Sequence, residues 1–464
     1  MSAIGKIRKL FVLMLENRSY DNILGWSDLR GWTPDGQATH ADGLIGKPPF
    51  SNVDGNGIPH TVAAGASFRL SSDPGHEFSD VLLQLCGSQA AVTTEQCLND
   101  SASLPDNGSY PALATTAQQA GFARCLSAHQ QDVASAMRGF SPEQLPVLNF
   151  LAHQFAVCDR WFSSVPGPTW PNRFFALAAT SWGLDHSPSS NRILASDIFD
   201  GEKFGTGSDS LLTRLNPTEW LVAFGDPPPQ SWALKGVDED ARKWRFVEHD
   251  TLLQKLQDGK LDDERFIFIE PRYDALGNFR NGESMHPVGD VRNGEALVKR
   301  IYEAIKSSRY WDESALLIVF DEHGGFFDHV LPDPRSVSGL PQLQAQPPGP
   351  LSMHNFRFDQ FGLRVPAIIV SPYIRQATID HDCYDHAAIA RTLAQIARPG
   401  SSQPLLNTPR YAVANSFARV FTLSRPRSPA DIPPCPEPLP CSAGYSTGGS
   451  RTAQAFSNLS WPGR

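Results

Sequence analysis

A chain of 464 residues can hold one large α/β domain or two to four smaller ones, and it is far longer than a minimal scaffold. Its 36 glycines and 38 prolines make it loop-rich, yet 41% hydrophobic residues keep it clear of disordered compositions and imply a sizeable core. The formal net charge of -9 lacks the basic excess that drives phosphate-backbone binding, so no nucleic acid is expected as a main partner.

The first apolar run, Leu10 to Leu15, is too short to span a bilayer and ends in Glu16 and Asn17. No integral membrane segment and no secretory leader are read here, so the expected location is cytoplasmic, or secreted for a chain whose leader has been removed. Four further runs follow: Phe155 to Cys158 before Asp159, Phe266 to Ile269 before Glu270, Leu316 to Phe320 before Asp321, Glu322 and His323, and Val365 to Val370 before Ser371. Runs this short and this uniformly apolar read as strands of a mostly parallel sheet covered on both faces. Their polar successors then sit at strand carboxyl ends, where open α/β sheets bind ligands.

Between the strands, Val81, Leu82 and Leu85 mark a short helix after Asp73-Pro74-Gly75-His76, and His386 to Ile396 marks another. The spacing Leu297, Ile301, Ile305 predicts a helix after Asp290 whose polar face carries Glu295, Lys299, Arg300 and Glu303. Two stretches break this rhythm. Residues 187–263 read as a cap or insertion within a main domain over 1–423, and the Pro/Gly/Ser-rich tail 424–464 reads as an extended strap. Seven cysteines without a C-x-x-C pair give no disulfide framework, although Cys86 with Cys97 and Cys435 with Cys441 are pairs that an oxidising compartment would allow.

Glu16, Asn17, Asp321 and Glu322 are oxygen donors at the ends of two strands far apart in sequence. Hard oxygens of this kind suit one divalent metal ion, Ca, Mg, Mn or Zn, and each pair also reads as turn or cap residues. In Ser164 to Arg173, Pro171 fits the first turn of a helix continued by Phe174, Leu177 and Ala178. That sets the Thr169 hydroxyl at a helix start, either as an N-cap or facing a bound anion. Asp321 and Glu322, flanked by His323 and His329, can bind metal, hold a phosphoryl oxygen and move protons, while Gly324 and Gly325 admit close backbone approach. His76 and His286 are further candidates for protonating a leaving group.

Five ordered motifs carry a resemblance: Glu16 to Asp21, Pro168 to Arg173, His286-Pro287 with Asp290 and Gly294-Glu295, Asp321 to Val330, and Tyr384-Asp385-His386. Together they resemble the phosphoesterase family of bacterial phospholipases C and acid phosphatases, and most of all the plant non-specific phospholipases C. Asp73 to His76, Cys158 to Thr169 and Phe358 to Pro366 are similar to three more segments of the plant enzymes, with Cys158 where Phe is usual. The resemblance spans roughly Lys9 to Ala397.

The resemblance implies an alkaline-phosphatase-like fold, a three-layer αβα sandwich, and a phosphoric ester hydrolase. It implies Thr169 as nucleophile, Glu16, Asn17, Asp321 and Glu322 as ligands of the metal, and His76, His286 and His323 near the phosphate and leaving group. Glu322 stands where some members carry Asp. Asn172, Arg173 and His386 fall at positions expected to bind substrate, although Arg173 equally fits a tie to a carboxylate and His386 a supporting role. The expected reaction is phospholipase C-type cleavage of glycerophospholipids to diacylglycerol and a phosphorylated head group through a phospho-threonine. The alternatives are an acid phosphatase acting on small phosphate esters and a non-catalytic metal- or anion-binding protein. A phospholipid substrate implies transient membrane-surface contact, and Trp220, Phe224, Trp232 and Trp244 either meet lipid at the cap or fill its core.

Overall fold

The computed structural model describes residues 3–87, 113–188, 204–237 and 239–441. All seven residues of strand β1 (Lys9–Leu15) are buried, as cover on both faces requires. It lies inside a ten-stranded sheet with β2 (Arg30–Trp32), β3 (Ala38–His40), β4 (Ala156–Cys158), β5 (Trp220–Phe224), β6 (Phe246–Glu248), β7 (Phe266–Glu270), β8 (Ser314–Phe320), β9 (Ala367–Val370) and β10 (Thr378–Asp380). The order across the sheet is β6-β5-β7-β1-β8-β9-β4-β10-β2-β3. β1 pairs in parallel with both β7 and β8. β9 is antiparallel to β8 and β4, so its trailing Ser371 lies at the opposite edge, where its hydroxyl donates to Ser314 O at 2.9 Å. An apolar run buried on both faces carries no signal of direction, which is why the sequence alone does not set this strand apart.

The principal helices are α1 (Phe78–Cys86), α2 (Pro146–Gln154), α3 (Thr169–Ala178), α4 (His249–Asp258), α5 (Val291–Ser307) and α6 (Ala387–Ala397). α5 packs on α2, α4 and β8, whereas α6 packs on α3 and β1. Two helix layers thus enclose the sheet in a three-layer αβα sandwich. α5 starts where expected, with Asp290 accepting from Arg292 N, and its Leu297, Ile301 and Ile305 are buried. Glu295, expected on the polar face, is buried instead. Its carboxylate accepts from Val147 N at 2.9 Å and Leu148 N at 2.8 Å, capping the first turn of α2.

The stretch 187–263 does not sit over the sheet as a cap where it is described: it supplies β5, β6 and α4 and so extends the sheet itself. Trp220 and Phe224 are core residues of β5, and Trp232 packs between Phe224 and Phe246 at centroid distances of 6.2 and 6.0 Å. Of the four aromatics that fitted either a lipid-facing mouth or its core, only Trp244 is exposed, at 75%. Residues 424–441 run along α5, where Lys306 and Lys299 donate to Ile432 O and Cys435 O, both at 3.3 Å. Cys435 and Cys441 are thiols, and Cys441 meets Asn293 Oδ1 at 3.1 Å, so that pairing is not made. Cys97 lies outside the described residues, and the Cys86 pairing with it. No helix among the described residues is long and apolar enough to cross a membrane.

Candidate active site

In-register parallel pairing of β1 with β8 sets Leu15 beside Phe320, so the two residues that follow each strand emerge side by side. Asp321 Oδ1 accepts from Asn17 N at 2.9 Å and Glu322 N at 2.7 Å. Asn17 Nδ2 donates to Glu322 Oε1, and Gly324 N to Glu322 Oε2 at 2.7 Å. Asn17 takes a left-handed φ of 57°, which Asn tolerates better than most residues. Gly324, at φ 64°, lies so close to Asn17 O that any Cβ would strike it. Gly325, at φ 75°, approaches Gly75 O in the same way and brings the Asp73 to His76 loop to the site.

Thr169 opens α3 as its first residue after the N-cap Pro168, and no side-chain capping bond forms. Its Oγ1 accepts from Asn17 Nδ2 at 3.4 Å. Pro168 and Pro171 have no N–H, so the first-turn donors that remain are the amides of Thr169 and Trp170. Asn172 is not turned toward a ligand: its Oδ1 accepts from Val165 N and its Nδ2 donates to the Val165, Gly167 and Pro168 carbonyls. It locks the loop that carries Thr169. Arg173 takes the second role open to it, with Nε on Asp321 Oδ2 at 3.1 Å and NH2 on Met14 O and Leu15 O. His386 is also a support, donating from Nε2 to Asp321 O at 2.6 Å while Nδ1 accepts from Trp161 Nε1 at 3.2 Å.

His76 and His323 differ in charge. Burial opposes protonation of His76, but Glu322, Asp73 and Glu77 outweigh it and push its pKa up to about 10. His76 is therefore an imidazolium, with Nδ1 on Pro74 O at 2.7 Å. Burial, with the His76 charge, pushes His323 down to about 3. The neutral ring spends its Nε2 proton on Gln84 Oε1 at 2.7 Å, which leaves only Nδ1, 3.5 Å from Glu322 Oε2, toward the acidic pair. His286 stacks on Phe279 with ring centroids 4.0 Å apart, and its Nε2 is 3.3 Å from Asp73 Oδ2. Burial raises Glu16 to about 7 and Glu322 to about 8. Glu16 Oε2 and Asn17 Oδ1 are buried acceptors with no hydrogen-bond donor. Unpaired hard oxygens beside carboxylates that resist ionisation fit a divalent cation.

Several residues of the motifs frame the site without a role in it having been expected. Arg364 reaches Asp328 Oδ1 at 2.8 Å and Asp21 Oδ1 at 3.0 Å, and donates to Asp42 O and Asp159 O. Asp21, Asp328 and His329 are one of two close-set groups of potential metal ligands among the described residues, and the Arg364 guanidinium already sits against this one. The other is Asp80, Cys125 and His129. Glu16, Asp321 and Glu322 are not among these close-set groups; Asp321 accepts instead from Arg173 Nε and from the Asn17 and Glu322 amides.

A family model described as "Phosphoesterase family" matches residues 7–398. Non-specific phospholipase C1 of Arabidopsis thaliana is 34% identical over 451 residues, covering 94% of this chain and 74% of that protein. Phospholipase C B of Mycobacterium tuberculosis is 25% identical over 478 residues, covering 91% of this chain and 79% of that one. A solved protein in the alkaline phosphatase superfamily from Vibrio parahaemolyticus aligns at 13% identity and a TM-score of 0.32, over 58% of this chain and 64% of that one, too slight a likeness to argue from. The match along residues 7–398 and the identity to the plant protein show that this chain belongs to the phosphoesterase family and is a phosphoric ester hydrolase.

Proposed function

We propose that this protein is a phospholipase C-type enzyme that cleaves the phosphorus–oxygen bond on the glycerol side of a phospholipid, using Thr169 as nucleophile. One observation carries the reading: the Asn17 amide bridges the Thr169 hydroxyl at a helix start to Glu322 of the acidic pair. The lipid substrate is supported by relatives named phospholipase C in both a plant and a mycobacterium.

A phosphodiester repels nucleophiles through its charge, so the site must offer positive potential and an oxygen poised in line. The Thr169 and Trp170 amides and the positive end of the α3 dipole would receive the phosphoryl oxygens, with the His76 imidazolium as a fixed cation. Asn17 holds the Thr169 oxygen by donating to it, which leaves the hydroxyl proton free to depart. Arg173 and His386 keep Asp321 in place from the opposite side. Glu16, Asn17, Asp321 and Glu322 would hold a divalent cation, which supplies Lewis acidity and lowers the pKa of a coordinated hydroxyl. Attack by Thr169, whose hydroxyl proton passes to water, forms the phospho-threonine as the bond to the glycerol oxygen breaks; a histidine protonates the departing alkoxide, and water then cleaves the phospho-threonine, releasing the phosphorylated head group and restoring the hydroxyl.

Thr169→Ala should fold normally and lose at least about a hundredfold in kcat, because the covalent step has no substitute. Rapid-quench mass spectrometry of the wild type on phosphatidylcholine should find the head-group phosphate on Thr169. Near wild-type turnover by Thr169→Ala would overturn the assignment. Release of inorganic phosphate from small monoesters, without diacylglycerol from lipid, would favour the phosphatase alternative.

A further inference from the structure

We propose that Asp73 is a positioning residue of the reaction: its carboxylate holds His286 by Nε2, so that the proton given to the leaving group comes from Nδ1. This rests on the reading that a histidine protonates the departing alkoxide, and it goes further by naming which histidine, which nitrogen and what orients it.

Asp73 precedes Pro74, which biases its backbone toward the extended region. Gln131 clamps the same loop, donating from Nε2 to Asp73 O and accepting from Gly75 N at 3.4 Å. Asp73 Oδ2 then lies 3.3 Å from His286 Nε2, and Oδ1 lies 3.9 Å from His76 Nδ1. Burial would raise the Asp73 pKa, but the charges of His286 and His76 outweigh it and keep the group ionised. An ionised carboxylate accepts, so the Nε2 proton of His286 stays in that bond. The imidazole is held in two further ways. Its ring lies on Phe279 at an interplanar angle of 12°, and Arg18 Nε fixes the preceding Met285 O at 2.8 Å.

His286 Nδ1 is left buried with no hydrogen-bond partner, on a side chain only 6% exposed. A buried ring nitrogen without a partner is costly unless a substrate or water completes it. His76 is less suited to the task, because its Nδ1 proton is given to Pro74 O and its high pKa makes it a reluctant acid. In the proposed step, which starts with a proton on each ring nitrogen of His286, the Thr169 oxygen bonds to phosphorus as the bond to the glycerol oxygen breaks, its electron pair goes to that oxygen, and the Nδ1 proton transfers there. The lone pair then on Nδ1 takes a proton from the water whose oxygen attacks the phospho-threonine, the threonine oxygen leaves with the electron pair of its broken bond to phosphorus and is reprotonated from solvent, and both ring nitrogens again carry a proton.

The test compares Asp73→Asn, His286→Ala and the double variant on two phosphodiesters, phosphatidylcholine and p-nitrophenyl phosphocholine, with thermal midpoints recorded for each. A nitrophenolate leaves without a proton, whereas a glycerol alkoxide does not. His286→Ala and Asp73→Asn should each lower kcat on phosphatidylcholine by roughly ten- to a hundredfold, change the nitrophenyl substrate much less and leave KM nearly constant. The double variant should fall no further than His286→Ala. Equal losses of His286→Ala on both substrates would overturn the assignment of His286 as the acid. A leaving-group effect in His286→Ala but not in Asp73→Asn, or additive losses in the double variant, would remove Asp73 alone. Asp73→Glu, which keeps the charge on a longer stem, should recover part of the phosphatidylcholine activity; no recovery beyond Asp73→Asn would also count against Asp73.

Discussion

His329 joins two loops beside the candidate site, with Nδ1 2.7 Å from Asp21 Oδ2 and Nε2 3.2 Å from Asp42 Oδ1. Burial alone would lower its pKa, but the charge of Asp21 and the hydrogen bonds to both carboxylates raise it to about 9. A raised histidine stabilises the fold fully below its ordinary pKa and loses that contribution as pH climbs through the folded value. The wild type should therefore exceed His329→Gln by about 2 to 3 kcal/mol near pH 6, with the margin shrinking toward pH 10. Urea midpoints at four pH values between these limits measure it, and a margin that does not vary with pH would show that the imidazolium is not what holds the loops. At this scale the sequence is legible in composition but not in direction. Thr169, Glu16, Asn17, Asp321 and Glu322 are brought together, whereas Asn172 and His386 belong to the same motifs and spend their polar atoms on neighbouring backbone and on Trp161. A motif names residues that must be present; it does not say whether each faces the ligand or the loop that supports it. Asp73 went unread for the converse reason, because an aspartate before a proline is an ordinary turn cue.

Elements show the same split between pattern and partner. Each of the five apolar runs contains most of a strand, and the helices after Asp290, Gly75 and Asp385 form where periodicity predicts them. β5 went unread because its stretch breaks the strand–helix rhythm and its aromatic residues fit either a core or a lipid-facing mouth, and β6 because so short a strand gives no periodic signal. Glu295 was assigned to the polar face by its angle from the Leu297 stripe, but that angle points it at the amide end of α2. Burial there raises its pKa to about 7, with the two amides opposing the shift. The folded state thus keeps a proton that the unfolded chain releases near pH 4.5. Stability should fall as pH rises from about 4.5 to about 7, by on the order of 3 kcal/mol from this group, and level off above. Glu295→Gln should flatten that slope in pH-dependent urea unfolding while lowering the stability at pH 5, since its amide nitrogen cannot accept. An unchanged slope would place the titration elsewhere.

Across the whole molecule, the topology sets which parts can exist alone. β1 is held on one edge by β7 and on the other by β8, both far later in the chain, and all of its residues are buried. A fragment ending at Asp263 would retain β1 with neither neighbour and should aggregate or be degraded, as its soluble fraction and protease resistance would report. A soluble, protease-resistant fragment would mean that β1 finds another partner. The same arrangement bears on how the protein is made. β1 leaves the ribosome roughly 250 residues before the start of β7 and 300 before that of β8. At about 5 to 20 residues per second, its bare edges wait on the order of tens of seconds for the strands that cover them. Yield in a cell should then depend on how well a chaperone shields the first fifteen residues during that interval.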